Sequence, residues 1–225
     1  MQYGIISITD TVSGKHADIY ADSTDNNALD ETISIPEDIV VDTVNLDRTF
    51  PIDACSTVAM PFAVNTANLT GVGAICEYNG IVSNELKFKV VYATHDYAVA
   101  HNFSKTDYTH VNLTAYKPYA FYMTETKLNI TGPVTFSQTR TANIAKNGWM
   151  MMSSLHRIMW LLDDLTTGYA YGFAASKAPE HDIEVGNLVK IGNGAYIKPL
   201  RAYLVQVKST KKSAEYNTHA KAMNN

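Results

Sequence analysis

Apolar and polar residues alternate with a period of two along much of the chain, the pattern of strands with one buried face. Leu86, Phe88 and Val90, for example, alternate with Lys87 and Lys89. The alternating runs are short and are bounded by glycine, proline, asparagine and aspartate, which favour turns. We therefore predict an all-β protein: a mainly antiparallel β-sandwich with an N-terminal β subregion packed against it.

The N-terminal β subregion is expected to span residues 1–46. Two candidate strands flank a turn at Ser13-Gly14. Two more, from Glu31 to Ile35 and from Ile39 to Leu46, are separated by a turn that begins with proline. Residues 22–30, which lie between these two pairs, are rich in aspartate and asparagine and are expected to form a polar loop.

The main β-sandwich domain is expected to span residues 47–207. The run from Ser56 to Val64 contains a proline, which favours an edge strand or a bulge because proline has no N–H to donate. The last run, from Ala195 to Val207, is interrupted at Pro199. Residues 208–225 are polar and contain several lysines, which predicts a tail or a linker.

Residues 154–164 are compatible with two structures. Four of their apolar residues have the spacing of one helix face: Leu155, Ile158, Met159 and Leu162. The alternative is a strand that ends at Trp160. Neither interpretation changes the predicted fold class.

Composition and charge exclude some functions. An apolar fraction of 46% in 225 residues is ordinary for a protein with a buried core. A net charge of −4 argues against nucleic-acid binding. The sequence contains no apolar run of about 18 residues, so no transmembrane segment is predicted. Residues 1–10 have a strand pattern and lack the basic and apolar regions of a signal peptide, which leaves a cytoplasmic protein or a piece of a longer exported chain.

The two cysteines, Cys55 and Cys76, lie 21 residues apart on or beside candidate strands. Their spacing fits no zinc or redox motif. They are interpreted either as buried thiols that act as small apolar residues or as a disulfide, which would stabilise the fold by about 3 kcal/mol.

Sequence motifs for catalysis are absent: there is no nucleophile elbow, no zinc-protease motif, no phosphate-binding glycine loop and no Cys-x-x-Cys. The acids Asp163 with Asp164, and Glu180 with Asp182, are interpreted as solvated turn residues rather than as the paired carboxylates of a glycoside hydrolase. We therefore expect no catalytic residues, no cofactor and no enzymatic activity.

The aspartates and asparagines of residues 22–30 offer oxygen ligands for calcium: Asp22, Asp25, Asn26, Asn27 and Asp30. The loop lacks the alternating acidic register, the glycine and the terminal glutamate of an EF-hand. An asparagine- and aspartate-rich turn is the better interpretation.

The densest group of aromatic and polar residues lies between positions 92 and 110. Aromatic rings beside carboxylate, amide and imidazole groups suit a sugar-binding surface, a protein-contact loop, or a strand–loop–strand without a ligand. The candidate ligand-binding residues are Tyr92, His95, Asp96, Tyr97, His101, Tyr108 and His110. A metal site of His95, Asp96 and His101 matches no ligand motif, so none is expected.

Six blocks carry a resemblance to a known group of proteins. They are Arg48-Thr-Phe50, Ser56 to Val64, Lys117-Pro-Tyr119, Gly148-Trp149, Tyr171 to Ala175 and Gly194 to Leu204. In this order they resemble a β-rich domain of large secreted and surface proteins of anaerobic gut and rumen bacteria, many of which also carry leucine-rich repeats. The resemblance covers about residues 3–204.

The resemblance implies an exported, non-enzymatic module and supplies no catalytic residues. The chain departs from the pattern at Ser153-Ser-Leu155, where the family usually has Gly-Thr-Tyr, and in the longer and more polar segment from Tyr92 to His110. Within the blocks, four residues are expected to be structural: Pro118, Trp149, Pro199 and Arg201. Arg201 is expected to bind a carboxylate or loop carbonyls, and anion binding is its alternative role.

From the resemblance we expect a non-catalytic extracellular or cell-surface module for adhesion, display or assembly. One alternative is a carbohydrate-binding module that uses residues 92–110. Another is a self-assembling filament or surface-layer subunit whose exposed strands pair between copies. The expected partners are accordingly polysaccharide, other surface proteins or further copies of the chain.

Overall fold

The computed structural model describes residues 1–83, 85–103, 109–138, 143–161 and 170–207, in which most regular structure is β-strand. The strands up to residue 113 are β1 Gln2–Tyr3, β2 Ile6–Thr11, β3 Gly14–Ile19, β4 Ile39–Val41, β5 Thr43–Leu46, β6 Cys55–Val58, β7 Phe62–Asn65, β8 Leu69–Thr70, β9 Val72–Val82, β10 Glu85–Ala93 and β11 Asn112–Leu113. The later strands are β12 Tyr119–Met123, β13 Asn129–Ile130, β14 Val134–Phe136, β15 Ile144–Lys146, β16 Trp149–Ser153, β17 Ile158–Met159, β18 Ala170–Phe173, β19 Leu188–Lys190, β20 Tyr196–Ile197 and β21 Ala202–Gln206. The described helices are α1 Asn26–Asp30, α2 His95–Ala100 and the single-turn 3-10 helices Thr66–Asn68 and Pro179–His181.

The strands form several sheets that are almost entirely antiparallel. The largest has the order β1-β2-β3-β5-β13-β8, in which β3 and β5 are the parallel pair. Two four-stranded sheets have the orders β10-β9-β12-β6 and β11-β7-β14-β4, a five-stranded sheet has the order β15-β16-β21-β18-β19, and β17 pairs with β20 in a two-stranded ribbon. The predicted all-β, mainly antiparallel class is confirmed, and the several antiparallel sheets are consistent with a β-sandwich-like fold.

One apolar core joins the N-terminal strands to the rest of the chain. Ile6 and Ile8 of β2 belong to the same buried cluster as Phe62, Phe121 and Phe136, and the rings of Phe62 and Phe136 lie 5.0 Å apart. The sheets are shared as well, because β4 pairs with β14 and β5 pairs with β13. The N-terminal subregion is therefore packed against the main domain and is also continuous with its sheets.

Two details of the N-terminal prediction differ from the structure. Residues 31–35 form no strand, although Ile33 and Ile35 are buried. An extended segment with alternating burial produces the same sequence pattern as a strand without belonging to a sheet. Residues 22–30 are also not a loop throughout, because Asp25 caps the N-terminus of α1 by accepting a hydrogen bond from the backbone N–H of Asn27.

The prolines divide two predicted strands between different sheets. The run from Ser56 to Val64 becomes β6 and β7 on either side of Pro61, and the run from Ala195 to Val207 becomes β20 and β21 on either side of Pro199. Leu200, directly after Pro199, has φ +59°, so the chain turns sharply there. β6, which precedes Pro61, lies at the edge of its sheet as the proline predicted, and at both prolines the chain also passes from one sheet to another.

Within the described part of the segment 154–164, Ile158–Met159 forms the short strand β17. β17 pairs with β20 through Ile158 opposite Ile197, and Trp160 follows the strand. Residues 162–164 lie outside the described residues, as does the predicted tail from 208 to 225. Pairing with β20 explains why the helical spacing of the apolar residues was misleading.

Two of the sheets are joined at a junction that we define by Arg48, Thr57, Leu200, Arg201 and Ala202. The Thr57 hydroxyl donates a hydrogen bond to the Ala202 carbonyl (3.1 Å) and accepts one from the Ala202 N–H (2.9 Å). The backbone N–H of Ala59 donates to the Leu200 carbonyl, and the guanidinium of Arg48 donates to the Thr57 carbonyl at 2.8 Å. β6 and β21 are thus held together by buried hydrogen bonds, although they belong to different sheets.

Replacing Thr57 by valine should destabilise the protein by about 1–3 kcal/mol, because the N–H and C=O of Ala202 lose their partner while the side-chain shape is retained. The measurement is urea unfolding of both proteins. Thr135→Val is the matched control, since Thr135 is exposed in β14, and it should change the stability by no more than about 0.5 kcal/mol. Equal stabilities for the two variants would contradict the role of the junction.

Candidate functional site

Two tyrosine rings of the segment 92–110, those of Tyr92 and Tyr97, are buried. Tyr92 and Tyr97 are 7% and 6% exposed. The Tyr97 ring stacks on His101 with centroids 3.9 Å apart, and Tyr92 stacks on His110 at 5.3 Å. The described part of the segment therefore forms two separate aromatic groups, Tyr97 with His101 and Phe103, and Tyr92 with His110, so both tyrosines pack against other rings of the protein.

The helix α2 causes this arrangement. Thr94 caps it by accepting a hydrogen bond from the N–H of Tyr97, and the first helical turn directs Tyr97 inward over β9. A loop, not a helix, was predicted for this segment. The sequence signal for α2 is the capping threonine followed by an acidic residue, Asp96, in the first turn.

The polar candidate residues of this segment are either exposed to solvent or in contact with the backbone. The side chains of His95 and Asp96 are 70% and 102% exposed and lie 3.2 Å apart. His101 contacts the backbone carbonyl of Tyr97 through Nδ1 at 3.0 Å. Among the described residues no group of three histidine, cysteine, aspartate or glutamate side chains has the geometry of a metal site. Tyr108 lies outside the described residues.

The cysteines are free thiols in one apolar cluster with Ala120. Cys55 lies on β6 and Cys76 on β9, and β12 runs between these strands. Two strand spacings amount to roughly 9.5 Å, whereas disulfide-linked Cα atoms lie within about 7 Å. The disulfide alternative is therefore incompatible with this sheet. Burial raises the pKa of Cys76 to about 12 and that of Cys55 still further, so both are protonated at neutral pH.

The acidic side chains of residues 22–30 are engaged in structural contacts. Asp22 accepts a hydrogen bond from Arg201 at 2.6 Å, and Asp30 accepts two from Arg157, each at 2.8 Å. Asp25 caps α1. These bonds leave no cluster of open carboxylates for calcium, and they give Arg201 the carboxylate partner expected of a structural arginine.

The other residues singled out in the sequence have peripheral or supporting positions. Pro118 immediately precedes β12, and the Trp149 ring at the start of β16 packs edge-on against Tyr171 at 5.4 Å. Glu180 and Asp182 are exposed near a single-turn helix. Asp163 and Asp164 lie outside the described residues.

An ordered surface occurs on the solvent side of the six-stranded sheet. β2, β3 and β5 each contribute two short polar side chains to it, and we call this set the polar face: Ser7, Thr9, His16, Asp18, Thr43 and Asn45. The strand register places them in two rows, because Ser7 pairs with Asp18 and Asp18 with Asn45, while Thr9 pairs with His16 and His16 with Thr43. Next to β5, Asn129 of β13 and Thr70 of β8 form a further exposed polar pair.

Hydrogen bonds fix the orientation of the polar face. Nδ1 of His16 lies 2.7 Å from the Thr43 hydroxyl, and Nε2 lies 3.3 Å from the Asp18 carboxylate. The amide nitrogen of Asn45 donates to the same carboxylate at 2.9 Å. The polar face therefore presents hydroxyl, amide, imidazole and carboxylate groups at fixed strand spacings, and it carries no lysine or arginine.

The chain matches no protein-family model, no curated protein and no solved structure. Within the described ranges no helix is long and apolar enough to cross a membrane. The fold and the surface chemistry are therefore the basis for assigning a function.

Replacing Gly73 by alanine should destabilise the protein by about 1–3 kcal/mol, because the new Cβ would overlap the Tyr97 ring that packs on this residue. Chemical denaturation is the measurement. Gly172→Ala is the control: Gly172 also lies in a strand, and its Cβ would meet Ile191 at an ordinary 3.7 Å. A stable Gly73→Ala variant would indicate that Tyr97 is free to leave the core.

Proposed function

We propose that this chain is a non-catalytic adhesion or display module of an exported bacterial surface protein, and that its polar face binds a hydroxyl-rich, uncharged polysaccharide. The observation that carries this proposal is the ordered array of short hydrogen-bonding side chains across β2, β3 and β5. The resemblance of the six sequence blocks to surface domains of gut and rumen bacteria supports the exported location.

The chemistry of the polar face favours a neutral polymer. Its side chains act as donors and acceptors toward hydroxyl groups, and its charged or titratable groups, His16 and Asp18, already contact each other. The absence of lysine and arginine from the polar face disfavours phosphate and polyanions. Because the side chains are held by mutual hydrogen bonds, binding would order few of them, which lowers the entropic cost of association.

The use of buried polar groups supports a non-catalytic role. Arg48, Thr57 and Arg201 all serve contacts within the junction or with Asp22. The interior cysteines are shielded thiols. Polar groups that an enzyme would direct toward a substrate are used here to hold sheets together.

The long edge strand β10 argues for adhesion rather than self-assembly through strand pairing. It carries Lys87 and Lys89, and its pairing with β9 is broken by two register shifts. Charges and bulges on an edge strand oppose the addition of a strand from another copy.

Adhesion predicts saturable binding of the purified protein to at least one neutral polysaccharide in a glycan array and pull-down. The double variant Thr43→Ala/Asn45→Ala should bind at least about tenfold more weakly, since it removes two hydrogen-bonding side chains, each contributing about 1 kcal/mol. Both residues are exposed, so the fold should be retained.

The double variant Glu180→Ala/Asp182→Ala is the matched control, because these exposed polar residues lie in a different part of the chain. It should bind like the wild type. Unchanged affinity of the Thr43/Asn45 variant would reject the polar face as the contact surface. Failure of the wild type to bind any neutral polysaccharide would reject the polysaccharide as the partner.

A further inference from the structure

Arg48 is a buried cation with incomplete hydrogen bonding. It is only 4% exposed. Its Nη1 donates to the Thr57 carbonyl at 2.8 Å, and its Cζ lies 4.2 Å from the centre of the Phe50 ring. Its Nε is buried and has no hydrogen-bond acceptor among the described residues. A buried guanidinium donor without an acceptor is costly, because arginine does not lose its charge in proteins.

The surrounding charges do not balance Arg48. The guanidinium of Arg201 and the carboxylate of Asp22 are the charges that act on it, so two cations share one anion. Both oxygens of Asp22 are engaged, Oδ1 with Arg201 at 2.6 Å and Oδ2 with the N–H of Thr49 at 2.7 Å. Burial, followed by the like charge of Arg201, lowers the pKa of Arg48 well below its usual value.

Lys198 increases the local excess of positive charge. Its ammonium group donates hydrogen bonds to the backbone carbonyls of Asp22 and Ser23, each at 3.0 Å. Neither of these acceptors carries a negative charge. Asp22 thus stands between Arg201, which binds its side chain, and Lys198, which binds its backbone. The side chains of Arg48, Arg201 and Lys198 thus carry three positive charges in this region, against the one negative charge of Asp22.

We propose that the junction binds one small monovalent anion of the halide type, chloride under physiological conditions, at the Nε–H of Arg48. The near-complete burial of Arg48 excludes a bulky oxyanion or a partner's carboxylate side chain. The adjacent Phe50 ring makes the surroundings partly apolar, which favours a weakly hydrated ion. The bound anion would satisfy the orphan donor and offset the excess charge, so it would stabilise the contact between Arg48 and β6.

Bromide locates the site directly. Crystals of the wild-type protein grown or soaked in sodium bromide should show an anomalous peak at hydrogen-bond distance from Nε of Arg48. An ordered water at that position, with no anomalous signal, would overturn the proposal. This measurement does not depend on any variant and is independent of polysaccharide binding.

Halide linkage tests the same site in solution. Sodium chloride or bromide should lower the unfolding equilibrium constant of the wild type relative to sodium gluconate at equal ionic strength. Above saturation, the constant should fall about tenfold for each tenfold rise in halide. Arg48→Met should lose this dependence, whereas Arg157→Met, which removes an arginine that has its own carboxylate partner, should retain it. Equal halide dependence in the wild type and Arg48→Met would overturn the proposal. If Arg48→Met does not fold, the bromide diffraction experiment on the wild type decides whether the anion site exists.

Discussion

The pair of hydrogen bonds between Thr57 and Ala202 is the contact on which the arrangement of the sheets depends. β6 is at the edge of a four-stranded sheet and β21 is in the middle of a five-stranded sheet. A ladder does not connect them, so one buried threonine hydroxyl serves both backbone groups of Ala202. Buried backbone groups need partners, and the hydroxyl provides them where no neighbouring strand does.

A second buried hydroxyl supports the same region from the other side. Ser154 is fully buried, its single hydroxyl proton lies between the carbonyls of Lys198 (Oγ–O 2.7 Å) and Arg201 (3.0 Å), and its Oγ accepts a hydrogen bond from the N–H of Arg201. It thereby fixes the sharp turn that begins β21.

The alternating pattern predicted the fold class because the buried face of each strand can be recognised from the sequence of that strand alone. Leu86 is buried and Lys89 exposed, as the period of two requires. The division of strands at Pro61 and Pro199 was not predictable, because a proline shows that a ladder is interrupted but does not show which sheet receives the next residues. α2 was not predicted because a helix of six residues is too short for its apolar spacing to stand out from the surrounding strand pattern.

The candidate site was less predictable than the fold. Tyrosine-rich composition between residues 92 and 110 suggested an exposed binding surface, but a tyrosine is equally suited to a core. The polar face had no local signature, since Ser7, Asp18 and Asn45 become neighbours only through the pairing of β2 with β3 and of β3 with β5. Likewise, Arg48 and Arg201 are far apart in sequence, and the fold alone brings their charges together.

Native-state hydrogen exchange of the Ala202 amide tests the central role of the junction most directly. This N–H is bound to the Thr57 hydroxyl rather than to a neighbouring strand. If the junction holds the sheets together, it should exchange only through global unfolding, with the same free energy as the slowest core amides of β9 and β12. Exchange of Ala202 through a local opening of much lower free energy, with the rest of β21 protected, would contradict this account.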